Sequence, residues 1–303
     1  FAKAGHASPV FFDAIAEVAK FRLKDFPGQE LTNTIWAFAA IGHASPALFD
    51  AVAEEVENSL EKLNSRRFSN IVWAFAAAGH ESPVLFDTIA EVASSQLNGF
   101  KTRNLASTVW AFAEVRHASP ALFDAIAKEA SARVKQLGLR KLAMMVSAFG
   151  TIGHASSASS AFFHAVAEEA QSSLQDSDAQ GLAHILWAFA EAGHASPALF
   201  DATAEVASSR LHDFTPHNLA YTVQAFARIG HASPVFFDAV AEVSKSCLKD
   251  FNVQNLVVIV WAFATAGHAS PALFDAIAEM ARSRLQDFNP QELANTVWAF
   301  AKA

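Results

Sequence analysis

The sequence predicts an all-α fold, an α-solenoid of about eight 37-residue helix-turn-helix repeats that form a superhelix. The first observation is a recurring histidine: six of the seven intervals are 37 residues, and the interval from His154 to His194 is 40. The second is the string Gly-His-Ala-Ser-Pro, which surrounds most of these histidines, and the third is the lack of the period-two alternation that indicates strands. The histidines are His6, His43, His80, His117, His154, His194, His231 and His268.

Each repeat is expected to contain two helices, A and B, joined by a tight turn. In the unit 27–63, Gly42 supplies the left-handed residue that ends helix A. Ser45 and Pro46 then provide an N-cap and a first-turn proline for helix B. The apolar positions at helical spacing are Leu31, Ile35 and Phe38 in helix A, and Leu48, Val52, Val56 and Leu60 in helix B.

Two local features refine this scheme. In the last unit, Asn289 and Glu292 flank Pro290 in the arrangement of an N-cap with a capping-box glutamate. The 40-residue interval contains a three-residue insertion within the serine-rich stretch 156–160. This insertion is expected to lengthen the turn between helices A and B and to leave the stacking of the repeats intact.

The repeats are expected to form a single α-solenoid domain over residues 1–303. The residues Phe1 to Ala4 are in phase with Phe300 to Ala303, so the chain is interpreted as a fragment of a longer protein. Repeats without caps expose apolar surface, which predicts end-to-end self-association of this fragment. The units run roughly 1–26, 27–63, 64–100, 101–137, 138–177, 178–214, 215–251, 252–288 and, as a partial unit, 289–303.

Composition excludes several classes of protein. With 303 residues, 52% of them hydrophobic, the chain is too apolar to be disordered. A single cysteine, Cys247, excludes a disulfide framework and favours a reducing compartment. No apolar run is long enough to predict a membrane span. The sequence has no nucleophile–base set, metal cluster or Gly-rich phosphate loop, so we expect no enzymatic activity, cofactor or metal. Each repeated histidine is alone in its unit, without Cys, Asp or a second His at ligand spacing, and is interpreted as turn structure.

Comparison of the repeats separates fixed from variable positions. Ala37 recurs in every helix A, whereas the position of Asn33, about 200° around the helix from Leu31 and Ile35, varies. A repeat protein that recognises a linear polymer one unit at a time needs constant packing residues and one row of variable surface residues. The predicted base-reading residues are Asn33, Asn70, Ser107, Met144, His184, Tyr221, Val258 and Asn295. Unconstrained surface variation, or capping and bridging between adjacent A helices, would give the same pattern.

A tryptophan recurs three residues after the variable position. It is a candidate either for stacking on bases or for packing between repeats, because a buried indole forms a large apolar contact. The column contains Trp36, Trp73, Trp110, Trp187, Trp261 and Trp298, with Ser147 and Gln224 in the two remaining units.

Charge is divided unequally between the two helices. The net charge is −8, but helix A and its entry carry ten basic and four acidic residues, a balance of +6, and the rest of the chain carries −14. A basic inner surface and an acidic outer surface are therefore expected. Basic residues near the start of helix A suit successive phosphates, although a solvated charged edge is the alternative. The predicted phosphate-binding residues are Arg66, Arg67, Lys101, Arg103, Arg140 and Lys141.

The segments 288–293 and 293–303, together with the Gly-His-Ala-Ser-Pro turn, resemble the octotricopeptide repeat, and the related heptatricopeptide repeat shares the 37-residue length. This resemblance covers essentially the whole chain. It implies an RNA-binding α-solenoid of a chloroplast or mitochondrion that acts in RNA processing, stabilisation or translation. Ser147, Gln224 and the acidic total depart from the pattern, and no match to the family's RAP domain is present.

The leading hypothesis is sequence-selective binding of single-stranded RNA, about one nucleotide per repeat. Protein partners in addition to RNA are compatible with it. The alternative is a protein- or peptide-binding α-solenoid scaffold without nucleic acid, in which Trp36 and Trp73 are exposed anchors.

Overall fold

The computed structural model describes residues 8–26, 28–59 and 63–303. Within these ranges the regular structure is helical and contains no strand, which confirms the predicted all-α class. The residues His6, Pro27 and Leu60, and the segment 1–4, lie outside the described residues. The helices are α1 (Pro9–Ala19), α2 (Gly28–Ala40), α3 (Pro46–Glu57), α4 (Ser65–Ala77), α5 (Pro83–Ser94), α6 (Thr102–Glu114), α7 (Pro120–Ala132), α8 (Leu139–Ile152), α9 (Ser157–Ser173), α10 (Ala179–Glu191), α11 (Pro197–Ser208), α12 (Pro216–Arg228), α13 (Pro234–Cys247), α14 (Val253–Ala266), α15 (Pro271–Arg282) and α16 (Pro290–Lys302).

Helix A of each repeat is an even-numbered helix and helix B is an odd-numbered one. The chain divides into two compact units, 1–137 with 148–162, and 138–147 with 163–303. In the first unit, α2, α4 and α6 pack in series, as do α1, α3, α5 and α7. In the second unit, α10, α12, α14 and α16 pack in series beside α11, α13 and α15. Each unit therefore has a layer of even helices and a layer of odd helices, as expected of helical-pair repeats.

A pair of phenylalanines joins consecutive repeats. Phe112 of α6 is fully buried and meets Phe86 of α5, the odd helix of the preceding repeat, with ring centroids 4.9 Å apart and planes at 68°. Such edge-to-face contacts add to the apolar area that the two rings bury. The same contact recurs at Phe12–Phe38, Phe49–Phe75, Phe123–Phe149, Phe163–Phe189, Phe200–Phe226, Phe237–Phe263 and Phe274–Phe300.

The turn histidines bridge to the preceding repeat. The imidazole Nε2 of His117 lies 2.8 Å from the Asp87 carboxylate on α5, and its ring contacts Phe86. The histidine has no such partner within its own repeat, and its acidic partner lies 30 residues earlier, in the preceding repeat. The described His–Asp bridges are His43–Asp13, His80–Asp50, His117–Asp87, His154–Asp124, His231–Asp201 and His268–Asp238.

One repeat junction has a histidine where the others have aspartate. His164 stands 30 residues before His194, so this junction has two imidazoles. The ring of His194 stacks on Phe163, with centroids 4.7 Å apart. Burial, together with the nearby His164, lowers the pKa of His194, so the neutral imidazole is favoured there.

The helix ends have the capping geometry predicted from the sequence, with one exception. Gly42 adopts φ +66°, the left-handed conformation predicted for the end of helix A. Asn289 and Glu292 form the predicted capping box, with backbone-to-side-chain bonds of 2.9 Å in both directions. Ser45 occupies the predicted N-cap position of α3, but its side chain makes no cap hydrogen bond. Pro46 opens the helix as expected.

The three-residue insertion extends a helix rather than a turn, so the predicted longer turn is wrong. Helix α9 has 17 residues, whereas the corresponding α11 has 12, and the insertion accounts for three of the five additional residues. Three residues add nearly one turn of α-helix, which preserves the side that faces the core. Ser156 sits where Ser45 sits in its repeat, and its hydroxyl accepts from the Ser159 N–H and donates to the Asp124 carboxylate.

Arg116 occupies a backbone position that glycine holds in the other turns. Its φ of 52° lies in the left-handed region, where a side chain carries a steric penalty. We expect Arg116→Gly to raise the free energy of unfolding by about 0.5–1 kcal/mol, measured as a higher urea midpoint at unchanged slope. Gly79, at φ +63°, is the matched position, and Gly79→Ala is expected to lower stability by about 1 kcal/mol. A lower midpoint for Arg116→Gly would contradict the assignment of strain.

The first and last described helices expose apolar side chains. Near α1 these are Val10, Phe11, Val18 and Phe21, and on α16 they are Leu293, Val297, Trp298 and Phe300. The expected end-to-end self-association depends on these two surfaces. No helix among the described residues has the length and hydropathy required to span a bilayer.

Candidate nucleic-acid interface

One face of each even helix carries four repeating positions. In α2 they are Gln29, Asn33, Trp36 and Ala40, spaced so that they follow each other along a single side. We name this face the even-helix stripe, and name each column of equivalent positions after its α2 member. The buried residues of α2 (Leu31, Thr32, Ile35, Phe38 and Ala39) lie on other sides of the helix.

The Asn33 column contains the predicted base-reading residues. Asn33 is exposed, and the other seven side chains are half-buried, so all eight retain contact with solvent. They are neither sealed between helices nor on the odd-helix layer. The half-buried members are Asn70, Ser107, Met144, His184, Tyr221, Val258 and Asn295.

The Trp36 column packs between repeats and also keeps an open face. The indoles of Trp36 and Trp73 stack at a centroid distance of 6.2 Å with planes 27° apart. Trp298 is 44% exposed. The half-buried members are Trp36, Trp73, Trp110, Trp187 and Trp261, together with Ser147 and Gln224. Packing and surface presentation therefore coexist in this column.

The six predicted phosphate-binding residues divide among three positions. Arg66, Arg103 and Arg140 are exposed members of the Gln29 column. Arg67 and Lys141 follow one residue later and are half-buried, and Lys101 is the exposed N-cap residue of α6. The Arg140 guanidinium donates to the Gln180 side-chain oxygen at 3.2 Å, which links neighbouring members of the Gln29 column within the second unit. Only three of the six cations thus lie on the even-helix stripe.

The predicted site includes three of the eight members of the Gln29 column and omits the other five. Interpreting Arg66, Arg103 and Arg140 as a phosphate row leaves out the glutamines and the histidine at the same position. Every member is exposed and can donate a hydrogen bond, and none is acidic or aliphatic. Aligning the repeats by sequence is enough to find this column. Its members are Gln29, Arg66, Arg103, Arg140, Gln180, His217, Gln254 and Gln291.

A polar pocket lies between α2 and α4 on the even-helix stripe. Its volume is about 80 Å³, and it brings the Gln29 and Asn33 columns of two consecutive repeats together. The lining contains amides, arginines and one hydroxyl, with no carboxylate and no aliphatic side chain. The lining residues are Gln29, Thr32, Asn33, Asn64, Arg66, Arg67 and Asn70.

An aromatic and cationic cluster occupies the stripe on α10 and α12. The His217 ring lies 4.2 Å from the Tyr221 ring, and Tyr221 meets Trp187 edge-to-face at 5.1 Å. Arg228 lies over the opposite end of the cluster, 5.0 Å from the Trp187 ring. Burial, with additional effects of Arg140 and His217, lowers the pKa of nearby His184, so a neutral imidazole with one donor and one acceptor is favoured.

The odd-helix layer presents acidic side chains to solvent. Exposed carboxylates recur along it, for example Asp50 and Glu54 on α3 and Asp87 and Glu91 on α5. Of the ten basic residues counted with helix A, Arg116 lies in a turn and Lys3 lies outside the described residues.

Across the described part of the chain, no three His, Cys, Asp or Glu side chains are grouped as metal ligands.

The family of the RNA-editing substrate-binding complex 6 protein matches residues 1–206 and 161–303, which together span the chain. The chain belongs to this family. No curated protein matches it. Membership in the RNA-editing substrate-binding complex 6 family supports the expected RNA-associated helical repeat, but it does not identify the octotricopeptide or heptatricopeptide family.

Proposed function

We propose that this member of the RNA-editing substrate-binding complex 6 family binds single-stranded RNA along the even-helix stripe, with sequence selectivity and about one nucleotide per repeat. The observation that carries the proposal is the coincidence of three kinds of side chain on one repeated helix face. Polar side chains, aromatic rings and cations stand at fixed spacing there, and all remain accessible to solvent. The family name supports RNA as the ligand.

The chemistry of each column fits one part of a nucleotide. Asparagine, serine and histidine in the Asn33 column can hydrogen-bond base edges, and Tyr221 can stack on a base. Met144 and Val258 offer apolar contact alone, so their repeats are proposed to be permissive. The Trp36 column supplies flat surfaces for base faces, and the nearby cations Arg67, Lys101, Arg103, Arg140 and Lys141 hold the backbone.

The proposed role is that of a scaffold without catalytic activity. Its setting is RNA processing or editing in a chloroplast or mitochondrion, and the family name, which refers to a complex, supports additional protein partners. The acidic odd-helix layer repels a polyanion, so the RNA is proposed to contact the even-helix layer alone.

The test is a titration of the chain against a randomised single-stranded RNA pool at about 50 mM and about 200 mM salt. We expect measurable binding that weakens with salt, by about 0.7 in log–log slope for each phosphate contact. Double-stranded RNA is the control and should compete poorly, since its bases are stacked and paired.

Undetectable binding at the lower salt concentration would overturn the proposal. Salt-insensitive capture of protein partners that survives RNase treatment, without RNA binding, would identify a protein-binding scaffold instead. The two functions are thus separated by the same preparation of protein.

A further inference from the structure

The pocket between α2 and α4 has unused hydrogen-bonding capacity. Thr32 donates to the Gly28 carbonyl at 2.7 Å, and the Asn64 side-chain oxygen accepts from the Arg67 N–H at 3.1 Å as an N-cap. Among the described residues, none hydrogen-bonds the side chains of four further residues of the lining. These four are Gln29, Asn33, Arg66 and Asn70.

We propose that this pocket is a guanine site, in which Arg66 recognises the base edge and Asn33 and Asn70 complete the contact. The inference rests on the proposed RNA binding and names guanine as the base that the pocket between these two repeats selects. It also assigns Arg66 to base recognition rather than to the phosphate role predicted from the sequence.

The hydrogen-bond donors and acceptors of the pocket side chains match those of guanine. The planar guanidinium of Arg66 presents paired donors that match the O6 and N7 acceptors of guanine. The amide oxygens of Asn33 and Asn70 need donors, which guanine supplies through its ring N–H and its amino group. A phosphate offers acceptors only, so it would leave those amide oxygens without partners. Adenine and uracil lack an adjacent pair of acceptors on one edge. Cytosine has such a pair in O2 and N3, but it offers only one donor group, the N4 amino group, to the two amide oxygens.

The surroundings fit a flat ring with one polar edge. A cavity of about 80 Å³ holds several water molecules and therefore the edge of a base. Trp36 and Trp73 follow Asn33 and Asn70 by three residues on the same helix face, and their stacked indoles form an adjacent aromatic surface. A base with its edge in the pocket can thus pack its face against these rings.

The experiment uses the full chain and the RNA selected from the randomised pool. Each guanine is replaced in turn by 7-deazaguanine, which carries C–H in place of the N7 acceptor. We expect one position at which the analogue weakens binding about tenfold to the unmodified protein. Arg66→Lys keeps the charge and loses the paired donors, so it should weaken binding of the guanine RNA about tenfold and abolish the additional effect of 7-deazaguanine there.

The matched control is Arg282→Lys, an exposed arginine of α15 on the odd-helix layer, which should bind as the unmodified protein does. Thermal unfolding of each variant verifies that the fold is retained. Selected RNA without a required guanine, or unchanged base preference in Arg66→Lys, overturns the guanine site while RNA binding itself stands. Absence of RNA binding by the unmodified chain at low salt overturns both.

Discussion

The double variant R66Q/R103Q is expected to bind single-stranded RNA on the order of 100-fold more weakly than the unmodified chain. Both arginines are exposed on the even-helix stripe within the first unit, at the same position of consecutive repeats. Glutamine retains hydrogen-bonding groups but removes the charge and the paired donors. The expected loss corresponds to about 1–2 kcal/mol for each charged contact. Fluorescence anisotropy with one selected RNA measures it.

The matched control is K128Q/R282Q, which removes the same charge from exposed positions of α7 and α15 on the odd-helix layer. It should change affinity by less than about threefold, the residual effect of net charge on a polyanion. Equal losses in the two double variants would show that RNA responds to total charge and not to the even-helix stripe.

Phe112→Ala is expected to lower the free energy of unfolding by about 3–5 kcal/mol. The ring is fully buried and contacts both Phe86 and His117, so its removal leaves a cavity at a junction between repeats. In a repeat array each junction carries much of the coupling between neighbours, and a weakened junction should also broaden the unfolding transition. Urea denaturation followed by circular dichroism measures both effects.

Phe21→Ala is the control for the same change of residue at the surface. Phe21 is 81% exposed, so its substitution should alter stability by no more than about 0.5 kcal/mol. A loss below about 1 kcal/mol for Phe112→Ala would contradict the assignment of the phenylalanine pairs as the main contacts between repeats.

The features that the sequence predicted well are local ones. The end of helix A at Gly42 and the capping box at Asn289 depend on residues a few positions apart, so their chemistry is visible in a short window. The side on which Asn33 lies also follows from helical geometry alone. The wrong expectation about the insertion has a local cause as well: serine competes with the helix backbone for hydrogen bonds, so residues 156–160 look like a turn, yet three residues fit nearly one helical turn.

What the sequence did not predict depends on contacts between repeats. The His117–Asp87 bridge joins two repeats, and a search within one repeat does not find it. The combination of Arg66 with Gln29, Asn33 and Asn70 requires knowing which neighbouring helices pack side by side. Whether Trp36 packs or is presented to solvent is likewise decided by Trp73 on the next even helix.

The His–Asp bridges also determine where the chain can be shortened. Each described bridge joins two residues 30 positions apart, and equivalent residues recur every 37 positions. Removing 37 consecutive residues therefore places the aspartate of an earlier repeat 30 positions before the next remaining histidine. Removing 64–100, for example, brings Asp50 to 30 residues before His117 and restores the aspartate partner that His117 had in Asp87. The period that contains the insertion is the exception, since it supplies His164 in place of aspartate. Arrays of chosen length are therefore best assembled from the 37-residue windows.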